Sequence, residues 1–321
     1  VTDPAKAPII LLAGPTASGK SALGIAIAEK VNGTIINADS MQVYRDLRVL
    51  TARPTDEEMR QVPHRLYGVL DGARHGTAAV WVDLAKQAIA ETIAEGRVPI
   101  LLGGTGMYLR SLFEGLAEIP PIPAETRAAA RGKLNEEGSG GLHAALAVAD
   151  PRTAASLKPG DSQRLVRAWE VLQATGRGLA DWQAAPASPG LANPVFRILL
   201  QPPRDRLYAR IDRRFEGMID AGALDEAKAV LAREDIPADA PMRKAHGLPE
   251  LIQYLKGEIP LAEAIRVGQL NTRHYAKRQT TWFRHQFRPD LVVEKDLGQQ
   301  ENFNLEAEIF PFIVRYLLTA R

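Results

Sequence analysis

Three early stretches of the chain are apolar without alternation. Ile9 to Ala13 is one and stops at Gly14; Thr34 to Ala38 is rich in β-branched residues and ends at Asp39; Val98 to Leu102 stops at Gly103-Gly104. A continuous apolar run is the mark of a strand buried on both faces, as in a parallel sheet. Helical stretches lie near residues 20–30 and 80–95, so strands and helices alternate. This alternation predicts an α/β fold, a doubly wound parallel sheet flanked by helices. Further strands are expected at Val195 to Leu200 and Leu291 to Glu294.

The pattern changes near residue 120. Ile119-Pro120-Pro121-Ile122-Pro123 is a stiff, turn-rich entrance. An Ala-, Arg- and Leu-rich helical stretch follows, with breaks expected at Gly138 to Gly141 and at Pro159-Gly160. It ends in the linker-like Ala185-Pro186-Ala187-Ser188-Pro189-Gly190. We read 120–190 as an all-helical insertion between a first core segment, 1–119, and a second, 191–321. The alternative is a few extra helices packed on the same core.

Composition narrows the chemistry. Hydrophobic residues make up 45% and charged residues 24% of 321, an ordinary globular balance. The absence of cysteine excludes disulfides, thiol nucleophiles and Cys-ligated metal centres. The six histidines show no HExxH and no close pair with ligand spacing. No apolar run near the start is long enough for a span or a signal core, so a cytoplasmic protein that does not engage a membrane is expected. The chain begins at Val1, which implies an initiator Met removed or omitted.

Gly14-Pro15-Thr16-Ala17-Ser18-Gly19-Lys20-Ser21 fits GxxxxGK[ST] between an apolar strand and a helix, the context this motif requires. Its glycines let successive N–H groups converge on an anion. Lys20 adds a point charge, the Ser21 hydroxyl can ligate Mg²⁺, and the helix start presents its positive dipole end. The sheet is therefore expected to be of the P-loop NTPase-like kind. Asp39, at the end of the second strand, fits a magnesium carboxylate, a base aimed at substrate, or a helix N-cap. Gly103-Gly104-Thr105-Gly106, at the end of the third, fits close approach of a ligand or an ordinary turn. Arg210 and Arg214 are i, i+4 neighbours that could clamp a phosphate or pair with Asp212 and Glu216.

The net charge of +2 argues mildly against a nucleic-acid partner until its distribution is read. Residues 266–288 hold Arg266, Arg273, Lys277, Arg278, Arg284 and Arg288 with no Asp or Glu, so the rest of the chain is net −4. At about 100° per residue, Arg273, Lys277, Arg284 and Arg288 fall within roughly 60° of one another, nearly opposite Tyr275 and Trp282. One side should pack and the other should offer charge to phosphates. Pro289 is expected to end this helix.

Taken together and in order, these motifs resemble the tRNA dimethylallyltransferase (tRNA isopentenyltransferase) family over most of the chain. The resemblance rests on the P-loop, Asp39-Ser40-Met41-Gln42-Val43-Tyr44-Arg45, Thr51-Ala52-Arg53-Pro54, Val62-Pro63-His64 and Gly103-Gly104-Thr105-Gly106-Met107-Tyr108. It continues through Asp150-Pro151, Asp161 to Val171, Thr175-Gly176 and Ala276 to Arg284. It implies transfer of a dimethylallyl group from its diphosphate to the exocyclic amine of the adenosine 3′ of the anticodon. The P-loop residues Gly14 to Ser21 would then hold a leaving diphosphate, with Mg²⁺ at Ser21 and an Arg from the 210/214 pair. An adenine amine is a weak nucleophile, so a base is needed; Asp39 is the choice, with Thr105 beside it.

The resemblance also implies tRNA contacts. Ser40, Met41 and Gln42 would lie near the target, Arg127 near the entrance of the insertion, and Gln163, Arg164, Leu165, Val166 and Arg167 on its RNA-facing helix. Lys277, Arg278 and Arg284 would grip backbone phosphates of the anticodon arm, with one monomer per RNA. Two departures stand out: Arg53 where the family has Lys, and His246-Gly247-Leu248-Pro249 in place of a Gly-Tyr-Lys pattern. With no Cys, the chain looks like the bacterial form without a zinc finger. A P-loop small-molecule kinase, a prenyltransferase for free adenine nucleotides and an RNA-binding module with a nucleotide switch are the rival readings. The kinase explains neither the Gln163–Arg167 segment nor the carboxylate-free helix. The second rival needs no large insertion.

Overall fold

A computed structural model of the chain describes residues 6–185, 188–295 and 304–320. It divides into two compact units, Val1–Leu112 with Leu191–Arg321, and Phe113–Gly190. Pro186 and Ala187, within the expected linker, lie outside the described residues.

The larger unit is built on a six-stranded sheet. Its strands are β1 (Ile9–Ala13), β2 (Gly33–Asn37), β3 (His64–Arg65), β4 (Val98–Gly103), β5 (Val195–Leu200) and β6 (Leu291–Val293). Their order is β3-β2-β4-β1-β5-β6, and every pairing is parallel. The predicted runs became strands, with ends shifted by one residue in β2, β4 and β6. The two-residue β3 was not anticipated, because His64-Arg65 carries no apolar signal; it is recruited by pairing with Ile35 and Ile36.

All five residues of β1 are fully buried. Ile10 and Leu12 share one core with Leu23, Ile27, Ile100 and Leu102. Full burial of such side chains stabilises by roughly 1.5–3 kcal/mol each. That core rigidly fixes the C-terminal strand ends, from which the loops described below project.

The smaller unit is helical: Ala124–Ala149, Pro151–Ala155, Ser162–Thr175 and Leu179–Ala184 surround a core of Leu142, Leu146, Ala154, Leu165 and Ala168. The expected break at Gly138 to Gly141 is a kink at Gly138 (φ 68°, ψ 176°) inside one long helix. Helix Ser162–Thr175 begins with Asp161 accepting from the Arg164 N–H and ends at Gly176 in the left-handed conformation. Among the described residues no helix is long and apolar enough to cross a membrane.

Candidate active site

The phosphate motif forms the turn between β1 and helix Lys20–Val31. Gly19 stands at the helix start with φ 94°, a conformation that favours glycine. Lys20 Nζ donates to Pro15 O at 2.7 Å. Burial brings the Lys20 pKa down to about 7; the Asp39 carboxylate opposes the shift and Arg214 adds to it. The loop lines a cavity of about 480 Å³ together with Asp39, Gln42, Arg210, Arg213 and Arg214.

Arg214 comes from helix Arg204–Asp220 and donates to Thr16 Oγ1 at 2.6 Å. Burial lowers its pKa, and Asp39 partly offsets that. Of the two carboxylates nearby in sequence, Asp212 pairs with Arg273 and Glu216 accepts from Gln269. Arg210 lines the same cavity.

Asp39 is placed by the end of β2. Asn37, fully buried, accepts from Asp39 N at 2.9 Å and donates to Asp39 O at 3.0 Å and Leu66 O at 3.1 Å. Asp39 Oδ1 accepts from Met41 N at 2.8 Å, so the local capping role exists in part. The residue is nonetheless half-buried and lines two cavities. Burial and then the Asp39 charge raise the pKa of Tyr67 and Tyr275; for Tyr108, burial, Tyr44 and Asp39 all contribute. Thr105 Oγ1 accepts from Ser40 N at 3.0 Å, which brings the β4 turn against the β2 turn.

The second cavity, about 120 Å³, is lined by polar or charged Thr16, Asp39, Ser40, Thr51, Arg214, Lys244 and His246 and by apolar Met41, Leu50, Ile211, Phe215 and Met218. The two cavities share Thr16, Asp39, Thr51 and Arg214. A cradle of loop backbone and cations thus adjoins a chamber with an apolar wall of Leu50, Ile211, Phe215 and Met218, and the two share the Asp39 carboxylate.

Helix Leu261–Gln286 closes the crevice. Its buried residues include Thr272, Ala276, Gln279 and Phe283. Lys277, Arg278 and Arg284 are exposed, and with His274, Thr281 and Trp282 the first two line an open concavity of about 530 Å³. The picture of six unopposed cations needs correcting. Arg266 pairs with Glu263 and Arg273 with Asp212, because the helix starts earlier than residue 266 and packs on Arg204–Asp220.

In the helical unit Gln163, Arg164 and Arg167 are exposed, Arg127 and Val166 half-buried. Arg164 lies 3.4 Å from Asp161 and Arg167 3.5 Å from Glu170. Leu165 is fully buried in that unit's core, so its side chain is unavailable to RNA: helical spacing turns it inward with Ala168.

Three residues given no site role in the sequence lie in the crevice. His246 lines the smaller cavity and packs on Tyr275 at 4.5 Å between ring centroids. Tyr275, read as packing only, lines the same cavity. Gln279 joins two loops of the crevice. The glutamine's signal was available as a polar residue on the inward stripe of an amphipathic helix.

Comparison with known proteins fits this geometry. The IPP transferase family profile matches residues 42–286. The chain belongs to the IPP transferase family. A tRNA dimethylallyltransferase of Rhodopseudomonas palustris is 54% identical over 279 residues, 86% of each chain. One of Rhodospirillum rubrum is 48% identical over 320 residues, 99% of this chain and 98% of the other. A crystal structure of the tRNA isopentenylpyrophosphate transferase of Bacillus halodurans aligns with a TM-score of 0.68 at 34% identity, covering 98% of both chains. A eukaryotic dimethylallyltransferase acting on tRNA shares the fold, with a TM-score of 0.78 at 24% identity over 98% of this chain and 80% of that one.

Proposed function

We propose that this family member transfers a dimethylallyl group from dimethylallyl diphosphate to the exocyclic amine of the adenosine 3′ of the anticodon in tRNA. The observation that carries the reading is the junction of the two cavities. A diphosphate fits the cradle of loop N–H groups, Lys20 and Arg214, and a five-carbon allyl group fits the apolar chamber beyond Thr16. Asp39 stands where the reacting carbon and an incoming amine would meet.

The allylic C–O bond breaks as charge develops on the leaving diphosphate. Fixed N–H donors and buried cations stabilise that charge most strongly in a poorly hydrated site. The adenine nitrogen bonds to the allylic carbon, its proton passes to Asp39, and diphosphate leaves. Thr105, tied to Ser40, would orient the base beside Asp39. Extruding a base from a loop costs a few kcal/mol, less than from a duplex.

The residues present fit a magnesium ion. Among the described residues no group of three or more His, Asp or Glu could hold one alone. Ser21 lines the cradle as a hard oxygen donor, which suits a metal held largely by substrate phosphates and leaves the Asp39 carboxylate to act as base. Mg²⁺ would neutralise leaving-group charge there. The tRNA would rest on Lys277, Arg278 and Arg284, with Gln163, Arg164, Arg167 and Arg127 of the helical unit on the anticodon arm.

The test is incubation with labelled dimethylallyl diphosphate and unmodified tRNA. Label retained in the RNA, dependent on Mg²⁺, is expected. ATP consumption with no label in RNA would favour the kinase reading and reject this one.

A further inference from the structure

The amide of Gln279 is 5% exposed and spans two loops that are far apart in sequence. Its Oε1 accepts from the Thr16 N–H at 2.8 Å, and its Nε2 donates to Gly104 O at 2.9 Å. One loop follows β1 and is the phosphate cradle; the other follows β4 and carries Thr105. These strands are neighbours, paired from Ile10–Ile100 to Ala13–Gly103, so the loops leave the sheet side by side. Contact between them is already tight: a Cβ on Gly104 would stand 2.9 Å from Gly14 O and would collide with the Gln279 amide.

The same helix meets two residues of the β4 turn. Gln279 holds Gly104 and the Trp282 ring lies against Gly106, while Tyr275, one turn before Gln279, lines the smaller cavity. Positions 275, 279 and 282 are spaced i, i+4 and i+7, one helical stripe. Of the three, Gln279 is the one bonded to both the cradle and the turn. Its bond to Thr16 also commits that N–H, so the diphosphate must be held by other N–H groups of the loop.

We propose that Gln279 is a positioning residue that fixes the register between the diphosphate cradle and the Thr105–Asp39 side of the crevice. The inference rests on the proposed prenyl transfer. Each half-site is complete without Gln279, so its loss leaves each substrate able to bind but misaligns the allylic carbon and the amine. Geometric misplacement of about 1 Å can cost about 100-fold in rate.

The experiment measures kcat, tRNA KM and pyrophosphate Kd for wild type, Gln279→Met and Gln279→Glu across pH 5.5–8.5. Gln279→Met keeps the length and removes both hydrogen bonds. Its kcat is expected to fall about 10- to 100-fold, with tRNA KM and pyrophosphate Kd within about threefold of wild type. Gln279→Glu keeps the acceptor for Thr16 but sets a carboxylate against Gly104 O. Protonation restores the donor, so its kcat relative to wild type should recover as pH falls. Unchanged kcat in both variants overturns the proposal, as do losses of both affinities parallel to the loss of kcat. A pH-independent Gln279→Glu ratio also overturns it, and this arm remains decisive if Gln279→Met does not fold. Failure of wild type itself to label tRNA would instead reject the proposed function, while its pyrophosphate binding stays measurable.

Discussion

The two cavities that meet at Thr16, Asp39 and Arg214 are built by opposite means. The larger has one contiguous run, Thr16 to Ala22, as its longest stretch of lining, together with arginines from helix Arg204–Asp220. The smaller gathers apolar side chains from a loop and from that helix: Leu50, then Ile211, Phe215 and Met218. A charged group is recognised by a short rigid motif, because oriented N–H groups need only a tight turn at a strand end. An apolar group is recognised by shape, and shape requires side chains from elements that meet only after folding. If the two chambers serve the two ends of one substrate, they can be damaged separately.

The largest effect is expected at their junction. Asp39→Ala should lose about 10²–10⁴ in kcat, with tRNA binding, read by filter retention or fluorescence, retained. Collapse of tRNA binding with it would mean that Asp39 holds the loop through its Met41 bond and is not the base.

The cradle comes next. Lys20, at a pKa of about 7, is charged below that pH and loses its proton above it. A bound anion raises that pKa again, so pyrophosphate affinity should fall as pH rises above 7, by up to about tenfold per unit. Titration calorimetry at pH 6, 7 and 8 would measure the slope, and Lys20→Met should abolish it. An unchanged slope would place the titrating group elsewhere.

The apolar chamber can be probed without touching the cradle. Met218→Ala should raise the KM for dimethylallyl diphosphate about tenfold, the scale of a methylene-sized change in pocket fit. Pyrophosphate affinity should stay the same, because pyrophosphate has no apolar end. Equal losses for both ligands would contradict the division into two chambers. The smallest effect belongs to a charge outside both: Arg284→Glu should weaken tRNA binding and reduce its log–log salt slope by about 1.

The same contrast explains what was legible in sequence. Five of the six strands were readable from their apolar or β-branched runs, and the cradle as a contiguous motif in its proper context. The apolar chamber was not, because Ile211, Phe215 and Met218 at i, i+4 and i+7 read simply as the inward face of an amphipathic helix. The i, i+4 spacing of Arg210 and Arg214 suited both a clamp and local ion pairs; in the fold Arg214 turns onto Thr16 and Asp212 pairs with Arg273. The basic helix was found, but two of its cations are paired with carboxylates outside the window in which none was counted. Leu165 was misplaced with its cationic neighbours because a motif names a run of residues, whereas a helix divides that run between core and surface.

The central claim is that an allyl group passes from the junction of the chambers to one amine. Nuclease digestion of tRNA after reaction with dimethylallyl diphosphate, followed by mass spectrometry of the nucleosides, tests it most directly. The expected result is one dimethylallyl group per tRNA, on the exocyclic nitrogen of the adenosine 3′ of the anticodon, absent with Asp39→Ala on the same time scale. Modification at another nucleoside, or equal yield from Asp39→Ala, would contradict it.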